Sequence, residues 1–343
     1  MKKIIKILIS IILIISLFNL STPYSDFLLR RSITNQIAYL INKFETGLGK
    51  KLQERYPEGE LFGNLIFALS LIKYSEKYEI PDINQIENAI LITTSKEAKS
   101  NYTKDLPLEY GAFYTGWINF TLKKYIESEI FKRSTKKKTF INLYRHFSNK
   151  IIEVQKGSIQ LLESYSNSIW PADNIVCIAS LDAENQELKK QWLDKIRIKS
   201  KSDKKLINHY GNNPSEIRGS SQALITYFLA NINKKQAKEY FDRYKPLFTK
   251  KLIGISFIKE YQGDNNSEDI DSGPIILGFG SVATIMNAKA MATLDIKGAK
   301  STWNFLNFIG IPINLFGKKY YLFGKEPIYD IFLLWITVDL ISK

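Results

Sequence analysis

Residues 271–294 read Asp-Ser-Gly-Pro-Ile-Ile-Leu-Gly-Phe-Gly-Ser-Val-Ala-Thr-Ile-Met-Asn-Ala-Lys-Ala-Met-Ala-Thr-Leu. The Ser-Gly-Pro triplet predicts a turn, because Gly and Pro most often interrupt regular structure. The small and apolar residues that follow have almost no polar face, so they predict a helix buried on most sides. A polar loop followed by such a helix occurs six times, with the loops at 56–60, 108–111, 169–174, 212–219, 264–274 and 323–327.

Amphipathic helices are predicted between these units, because Lys and Glu alternate there with apolar residues at helical spacing. Each repeat is roughly 50 residues long, the length of two helices and two loops. Helices that are buried and helices that are half exposed fit two concentric rings, so we expect an all-α (α/α)6 toroid of six hairpins, in one domain over residues 25–343. The amphipathic helices are predicted at 27–56, 83–101, 139–162, 185–204, 234–250 and 296–308.

Short β-ribbons are expected at the rim of the toroid. Strand signals occur at 255–258 and in the pair 311–316 and 320–323, with a turn at 317–319. An irregular helical bundle or an open superhelix of helical repeats would satisfy the same burial pattern, and both alternatives stay open. An α/β sheet is not expected, because strands do not alternate with helices.

The first 24 residues have the layout of a secretory signal. Lys2, Lys3 and Lys6 precede an apolar run from Ile7 to Phe18, which Ser10 and Ser16 interrupt. No Ala-x-Ala cleavage site follows, and the run is long enough to stay in a bilayer at the short end of the usual range. We therefore expect either a signal peptide or an uncleaved membrane anchor, with the rest of the protein exported.

The composition carries a large basic excess, with 48 Lys and Arg against 34 Asp and Glu and a formal net charge of +14. The basic residues are scattered near the ends of predicted helices and show no nucleic-acid recognition motif, so no nucleic-acid partner is expected. The excess favours attraction to anionic lipid or to an acidic polymer.

The sequence contains one Cys and two His. These numbers exclude an intramolecular disulfide and a closed structural zinc site, which needs about four N or S ligands. Walker, dinucleotide-binding and nucleophile-elbow motifs are absent, and we expect no cofactor. The stretch 264–271 offers oxygen ligands for Ca²⁺, although its spacing departs from the EF-hand loop.

Three motifs open predicted inner helices: Tyr56-Pro-Glu-Gly, Trp170-Pro-Ala-Asp-Asn and Asp271-Ser-Gly-Pro. With the six hairpins, they make residues 40–343 resemble the six-hairpin toroid enzymes, a superfamily of glycoside hydrolases and polysaccharide lyases. The chain is also similar to linalool dehydratase/isomerase-like domains. The resemblance implies a toroid with a substrate cavity at one mouth. Enzymes of the linalool type are thought to use cysteines, and Cys177 is the one cysteine in this sequence.

In such a toroid the amino ends of the inner helices meet at one mouth, so carboxylates from distant loops share a cavity. Glycoside hydrolysis needs two carboxyl groups about 5 to 10 Å apart. Asp173 and Asp271 are the first candidates, because each lies beside a helix-opening Pro or Gly; Asp269 and Glu58 are the next. The alternative for each is a helix cap or a partner of the helix dipole.

Aromatic side chains near the same loops are candidate platforms for a sugar ring, although aromatic residues at helical spacing are also typical of a core. Arg218 has two interpretations, a bidentate clamp on an anionic group or an ion pair between two loops. His209 is a candidate acid or base near the fourth loop. The predicted substrate-binding residues are Trp170, Asn174, Arg218, Tyr110, Tyr114, Trp117 and His209.

These observations predict an exported or membrane-anchored carbohydrate-active enzyme, a glycoside hydrolase with a carbohydrate or other small polar substrate. A lyase or isomerase of the linalool type is the second hypothesis, and it expects a narrow apolar cavity with few carboxylates. A non-catalytic ligand-binding or assembly protein of the envelope is the third.

Overall fold

A computed structural model of the protein describes residues 26–79, 83–199, 206–207, 210–211, 217–252, 255–263, 267–269, 272–276 and 278–341. This part is mostly helical, with a few short strands, which confirms the predicted all-α class. The predicted signal or anchor, residues 1–24, lies outside the described residues.

Fourteen α-helices occur in the described part of the chain. They are α1 (Asp26–Glu45), α2 (Leu48–Arg55), α3 (Gly59–Ser75), α4 (Asn84–Thr93), α5 (Lys96–Lys99), α6 (Gly111–Glu127), α7 (Lys137–Gly157), α8 (Pro171–Ser180), α9 (Gln186–Lys199), α10 (Gly219–Ile232), α11 (Lys234–Phe248), α12 (Ser281–Leu294), α13 (Ile296–Ile309) and α14 (Pro327–Ile341).

The strands form four antiparallel two-stranded ribbons, β1 with β2, β3 with β4, β5 with β6 and β7 with β8. They are β1 (Ser168–Ile169), β2 (Tyr210–Gly211), β3 (Thr249–Leu252), β4 (Ile255–Ile258), β5 (Ile275–Ile276), β6 (Phe279–Gly280), β7 (Ile313–Leu315) and β8 (Lys318–Tyr320).

The strand predicted at 255–258 is confirmed as β4, whereas the last ribbon differs from its prediction. Its second strand ends at Tyr320, and residues Leu322–Gly324 form a 3-10 helix in place of the predicted strand at 320–323. The turn lies at Phe316 and Gly317, whose φ values are 51° and 72°. A tight turn with two positive φ values matches the twist of an antiparallel ribbon, so the chain reverses earlier than expected.

Six helices, α3, α6, α8, α10, α12 and α14, are the apolar helices predicted from the sequence, and most of their residues are buried. Taken in chain order, each packs against the next, and α14 packs against α3. A helix with apolar residues on all sides needs neighbours on all sides, and this arrangement supplies them.

Aromatic rings fill the space between these six helices. The ring of Trp117 on α6 lies 4.8 Å from Phe62 on α3, 5.1 Å from Phe228 on α10 and 6.2 Å from Trp335 on α14. The first two contacts are edge to face, the geometry that the aromatic quadrupole favours. Large aromatic rings from α3, α6, α10 and α14 thus form the centre of the core.

The amphipathic helices α1, α4, α7, α9, α11 and α13 pack against the apolar helices from one side, and each contacts an apolar helix adjacent in the chain or, for α1, the last one. The predicted helix at 27–56 is divided into α1 and α2, because Gly47 adopts φ 88°.

Two of the connections between helices consist of a single residue. Asn233 and Asp295 each end one helix and cap the next, with side-chain oxygens that accept from Gln236 and Gly298 at 3.1 Å.

The carboxyl ends of α3, α6, α10, α12 and α14 surround one cavity of about 180 Å³. This shared cavity means that these helices run in the same direction, so their amino ends meet at the opposite end of the protein. We call these the carboxyl end and the amino end. Within the part of the chain described, no helix combines the length and apolar character needed to cross a membrane.

Candidate functional site

The loop between α7 and α8 covers the amino end of α6. The backbone N–H of Ala112 donates to the carbonyl of Glu163 at 2.9 Å. Gly111, at φ 85°, lies so close to this loop that an added Cβ would be 2.2 Å from the carbonyl oxygen of Ser164. Only glycine fits this position, because both the backbone conformation and the contact exclude a side chain.

Asn174 fixes the same loop from the first turn of α8. Its Oδ1 accepts from the backbone N–H of Leu162 at 2.6 Å, and its Nδ2 donates to the carbonyls of Leu162 and Trp170 at 2.9 and 3.0 Å. The side chain is buried. The side-chain amide of Asn174, which was predicted to bind substrate, is therefore hydrogen-bonded to backbone groups. It positions the loop that carries Tyr165.

Tyr165 connects this loop to the amino end of α3. Its hydroxyl donates a hydrogen bond to Oε1 of Glu58 at 2.6 Å. Burial, followed by the charges of Asp173 and Glu58, raises the pKa of Tyr165 well above its ordinary value. The phenol stays protonated at neutral pH and is a fixed donor toward the Glu58 carboxylate.

Tyr102 is within the electrostatic influence of the same carboxylates. Burial, followed by the charge of Glu58, raises its pKa, and Asp173 adds a smaller effect in the same direction. The hydroxyl is buried and has no hydrogen-bond partner among the described residues. Leaving a buried hydroxyl unpaired costs roughly 1–3 kcal/mol. We call Glu58, Tyr102, Tyr165 and Asp173 the carboxylate–tyrosine cluster.

Asp173 is in the first turn of α8, two residues after Pro171, and is 6% exposed. The helix dipole favours a carboxylate at this place. Glu58 precedes the first residue of α3, makes no side-chain cap and is half-buried. Two carboxylates predicted as catalytic are thus brought to one tyrosine, from loops far apart in the sequence.

Two of the predicted aromatic residues lie at the amino end. Trp170 is half-buried, with its ring 6.4 Å from Tyr165. Tyr110, also half-buried, precedes α6 with φ 66° and packs 5.3 Å from Tyr114. Non-glycine residues rarely adopt a positive φ, so Tyr110 is held in a strained conformation at this site.

Tyr114 and Trp117 lie deeper in the core. Tyr114 is fully buried, and its hydroxyl donates to the carbonyl of Thr93 at 3.0 Å. Trp117 is 1% exposed and packs among the central aromatic rings. These two side chains were predicted to bind substrate, and their contacts are those of core residues.

Arg218 forms the ion pair that was one of its two interpretations. Its Nε donates to Glu260 at 2.6 Å, and its two terminal nitrogens donate to both carboxylate oxygens of Asp269 at 2.8 Å. Burial alone would raise the pKa of Asp269, but hydrogen bonds from Arg218 and Ser272 lower it below its ordinary value. Asp269 therefore stays ionised and is poorly suited to donate a proton.

Asp271 and His209, which the sequence also predicts, lie outside the described residues. The predicted Ca²⁺ stretch at 264–271 is described only at 267–269. Among the residues that are described, no group of three His, Cys, Asp or Glu side chains is arranged to hold a metal ion.

Cys177 lies on α8 beneath the carboxylate–tyrosine cluster. Its thiol contacts the carbonyl of Ala112 at 3.3 Å and is 1% exposed. Burial, reinforced by the charge of Asp173, raises the pKa of the thiol far above its ordinary value. A buried neutral thiol is a poor nucleophile, so cysteine chemistry finds little support here.

Sequence reasoning missed Tyr102, Tyr165 and Glu260. Tyr165 lies in a Ser-rich loop, and no motif marks it. The one signal was its position five residues before Trp170, just ahead of the predicted loop 169–174 that carried three candidates. Tyr102 follows the predicted helix 83–101, and Glu260 follows the predicted strand 255–258. No motif near either residue indicated a site.

A second polar site lies at the carboxyl end. Lys289 is 2% exposed; its Nζ donates to Asp339 Oδ2 and to the carbonyl of Trp335, both at 2.7 Å, and lies 4.4 Å from the centre of the Trp335 ring. Burial lowers the pKa of Lys289 although Asp339 opposes the shift. The lysine is satisfied by its own neighbours, which favours a structural role.

No protein-family model and no curated protein matches this sequence.

Proposed function

We propose that the six hairpins of this chain form an (α/α)6 toroid. Two observations support it: the inner helices contact one another in succession from α3 to α14 and back to α3, and each has an amphipathic partner on one side. An irregular bundle has no reason to repeat one pairing six times.

We propose that the protein is a carbohydrate-active enzyme of the glycoside hydrolase type, with Glu58 and Asp173 as its carboxyl pair. The observation that carries this proposal is the position of Tyr165, hydrogen-bonded to Glu58 and within the electrostatic influence of Asp173. Two carboxyl groups in unlike surroundings are the requirement for an acid and a base at one pH.

The roles follow from the surroundings. The hydrogen bond from Tyr165 orients the Glu58 side chain, so Glu58 is assigned as the base or nucleophile. Asp173, the second carboxyl group of the pair, is assigned as the acid; it is 6% exposed and lies in the first turn of α8. The unpaired hydroxyl of Tyr102 is the group that a substrate hydroxyl would satisfy. Asp271 stays a prediction for the same mouth.

A lyase or isomerase on an apolar substrate is the second candidate, and one observation favours it. Phe113 stacks between the rings of Tyr102 and Tyr165, at 6.3 and 6.0 Å, so the cluster has an aromatic wall. On such a wall one carboxyl group of the pair would protonate the hydroxyl of an alcohol, which leaves as water, and the other would take a proton from the neighbouring carbon to give the alkene. A binding protein without catalysis would use the same wall and hydroxyls.

The proposal places the protein outside the cytoplasm, as an exported protein that is attached to the membrane through its amino-terminal segment. Its support is the signal-like layout of residues 1–24.

The test is hydrolysis of a panel of envelope and extracellular polysaccharides, measured by released reducing ends. Glu58→Gln and Asp173→Asn should each lower kcat by about 10²- to 10⁴-fold, the usual contribution of general acid–base catalysis. Glu54→Gln, which changes an exposed glutamate on α2, is the matched control.

Full activity in both variants would refute the assignment of the pair. If the wild-type protein releases no sugar but converts an isoprenoid alcohol, and the same variants abolish that turnover, the lyase candidate replaces the hydrolase.

A further inference from the structure

The turn between β7 and β8 presents apolar side chains to solvent. Phe316 is 99% exposed and Leu315 is 52% exposed, and Lys318 beside them is also exposed. Phe316 adopts φ 51°, a conformation that Asn or Gly would adopt with less strain. A fully exposed aromatic ring in a strained turn contributes nothing to the folded core, and with Leu315 it leaves an apolar tip open to a partner outside the protein.

The ribbon lies along α1, and its contacts fix its direction. The ring of Tyr320 packs 5.2 Å from Tyr39, whereas Lys319 donates to Ser32 at 2.8 Å and Asn35 donates to Asn314 at 2.8 Å. Moving along the ribbon toward its turn thus means moving toward the first residues of α1.

The short side-chain contact between Asn35 and Asn314 shows how far the turn reaches along α1. From Asn314 to Phe316 the chain covers at most about 7 Å, at roughly 3.3 Å per residue. From Asn35 back to Arg31 the helix covers about 6 Å, at 1.5 Å per residue. The turn therefore reaches the level of Arg31, about one helical turn from Phe27 and Leu28.

The first turn of α1 is itself apolar and exposed. Phe27 is 70% and Leu28 is 46% exposed, and Arg30 and Arg31 follow them on the surface. In the sequence, the apolar run that ends at Phe18 comes shortly before this turn.

This part of α1 lies at the carboxyl end of the protein. The guanidinium of Arg30 is 4.6 Å from the centre of the Tyr78 ring, just beyond α3, and Thr34 is within 2.9 Å of the Tyr74 hydroxyl near the end of α3. The carboxylate–tyrosine cluster lies at the other end of the same helix.

We propose that Phe27, Leu28, Leu315 and Phe316 form a membrane-facing surface that rests on an anionic lipid bilayer. The four apolar side chains enter the interface, while Arg30, Arg31 and Lys318 lie at headgroup level. Aromatic and aliphatic tips flanked by basic residues are the composition that such an interface selects. Basic residues near an anionic surface strengthen its attraction to the protein.

The inference rests on the proposed attachment through residues 1–24 and adds an orientation to it. Helix α3 has 17 residues and is about 26 Å long. With its carboxyl end on the bilayer, the carboxylate–tyrosine cluster lies on the side away from the lipid and faces polymers of the envelope.

The experiment uses the full chain in vesicles that contain phosphatidylglycerol and phosphatidylcholine. Phe316→Cys and, as a second position, Leu315→Cys are labelled with the environment-sensitive dye NBD; the single native cysteine, Cys177, is buried and should stay unlabelled. Phe323→Cys is the matched control, because Phe323 is also aromatic, 61% exposed and at a positive φ of 58°, but lies after β8, on the far side of Tyr320 from the turn.

The labels at 315 and 316 should shift their emission to shorter wavelength in vesicles and be quenched by spin-labelled lipid, while the label at 323 responds little. If the labels at 315 and 316 behave like the label at 323 although the protein floats with the vesicles, the inference fails and the attachment stands. If the full chain does not float with vesicles, the attachment itself fails. A blue shift that lipid does not quench, together with a disulfide-linked dimer of the unlabelled Phe316→Cys variant, would assign this surface to a second copy of the chain and overturn the inference.

Discussion

Tyr165 and Glu58 are 107 positions apart in the chain, and the tyrosine hydroxyl donates to the glutamate Oε1 at 2.6 Å. The bond joins the loop before α8 to the first residue before α3, across the amino end of α6. The bond orients the carboxylate of Glu58, which does not cap α3. The charge of a second carboxylate, Asp173, acts on the same tyrosine. Four predictions follow from this relationship and from the packing beneath it.

Tyr165→Phe removes the hydroxyl and keeps the ring. Glu58 then loses a fixed donor, so kcat should fall by about tenfold, and the free energy of unfolding should fall by about 1.5–3 kcal/mol, the net value of one hydrogen bond to a charged group. Steady-state kinetics and urea denaturation measure the two effects. Tyr78→Phe, at the carboxyl end, should leave kcat unchanged; equal losses of activity in both variants would contradict a positioning role for Tyr165.

Arg218→Met should lower the free energy of unfolding by about 3–5 kcal/mol, because it leaves Glu260, which is 1% exposed, with an unpaired buried charge. The double variant Arg218→Met/Glu260→Gln should recover much of this loss. Lys238→Met, which breaks an exposed ion pair with Asp242, should cost no more than about 1 kcal/mol. Guanidinium denaturation tests all three, and a double variant no more stable than Arg218→Met would rule out the charge explanation.

Gly116→Ala should destabilise the contact between α6 and α8. The new Cβ would lie 2.8 Å from the Cys177 sulfur and 3.1 Å from its backbone nitrogen, and overpacking of this kind costs about 1–3 kcal/mol. Cys177→Ala in the same chain should restore part of the loss, since it removes the sulfur. Gly157→Ala, at the end of α7 with open space around it, should be neutral or slightly stabilising. Thermal unfolding compares the variants, and an unchanged Gly116→Ala protein would show that the helices are not in close contact.

Asp330 gives the stability of the protein a pH dependence. Burial raises its pKa to about 8, while its Oδ1 accepts from the backbone N–H of Tyr321 at 3.0 Å. Between its ordinary value, roughly 4, and pH 8 the folded protein holds a proton that the unfolded chain releases, so this contribution to stability is lost as the pH rises through that window.

Lys319, whose pKa burial lowers to about 7, acts in the opposite direction above pH 7, because there the unfolded chain holds the extra proton. The free energy of unfolding should therefore fall from pH 4 to pH 7 in the wild type and vary less in Asp330→Asn. Denaturation at each pH measures both slopes. Parallel curves for the two proteins would show that Asp330 is ionised throughout.

The prediction of the helices succeeded because it depended on local features. Helical segments such as 281–294 have no polar face, so they must be buried on all sides. The segments between them that contain Lys and Glu have one polar face, so they must be buried on one side, whichever helix they pack against. This logic failed at two places. The left-handed Gly47 divides the predicted helix 27–56, and Ser95, an extended residue that caps α5, divides the predicted helix 83–101 into α4 and α5.

The candidate site was predicted in part. Helix-opening Pro and Gly pointed to the loops, and the structure brings Glu58 and Asp173 from two of them to one tyrosine. Asn174 and Arg218 have the right residue types for a ligand, but backbone groups hold the first, and Glu260 and Asp269 hold the second. A polar side chain in a sequence carries no sign of whether the fold has already supplied its partner.

The sequence by itself determined the helical class, the six apolar helices and the loops from which site residues come, because periodicity and turn residues act within a few positions of the chain. Only the tertiary structure decided that Tyr165 meets Glu58, that Arg218 is paired, and that the ribbon carrying the exposed Phe316 lies along α1. Those relationships join residues far apart in the chain, and they depend on how the helices pack rather than on any local preference.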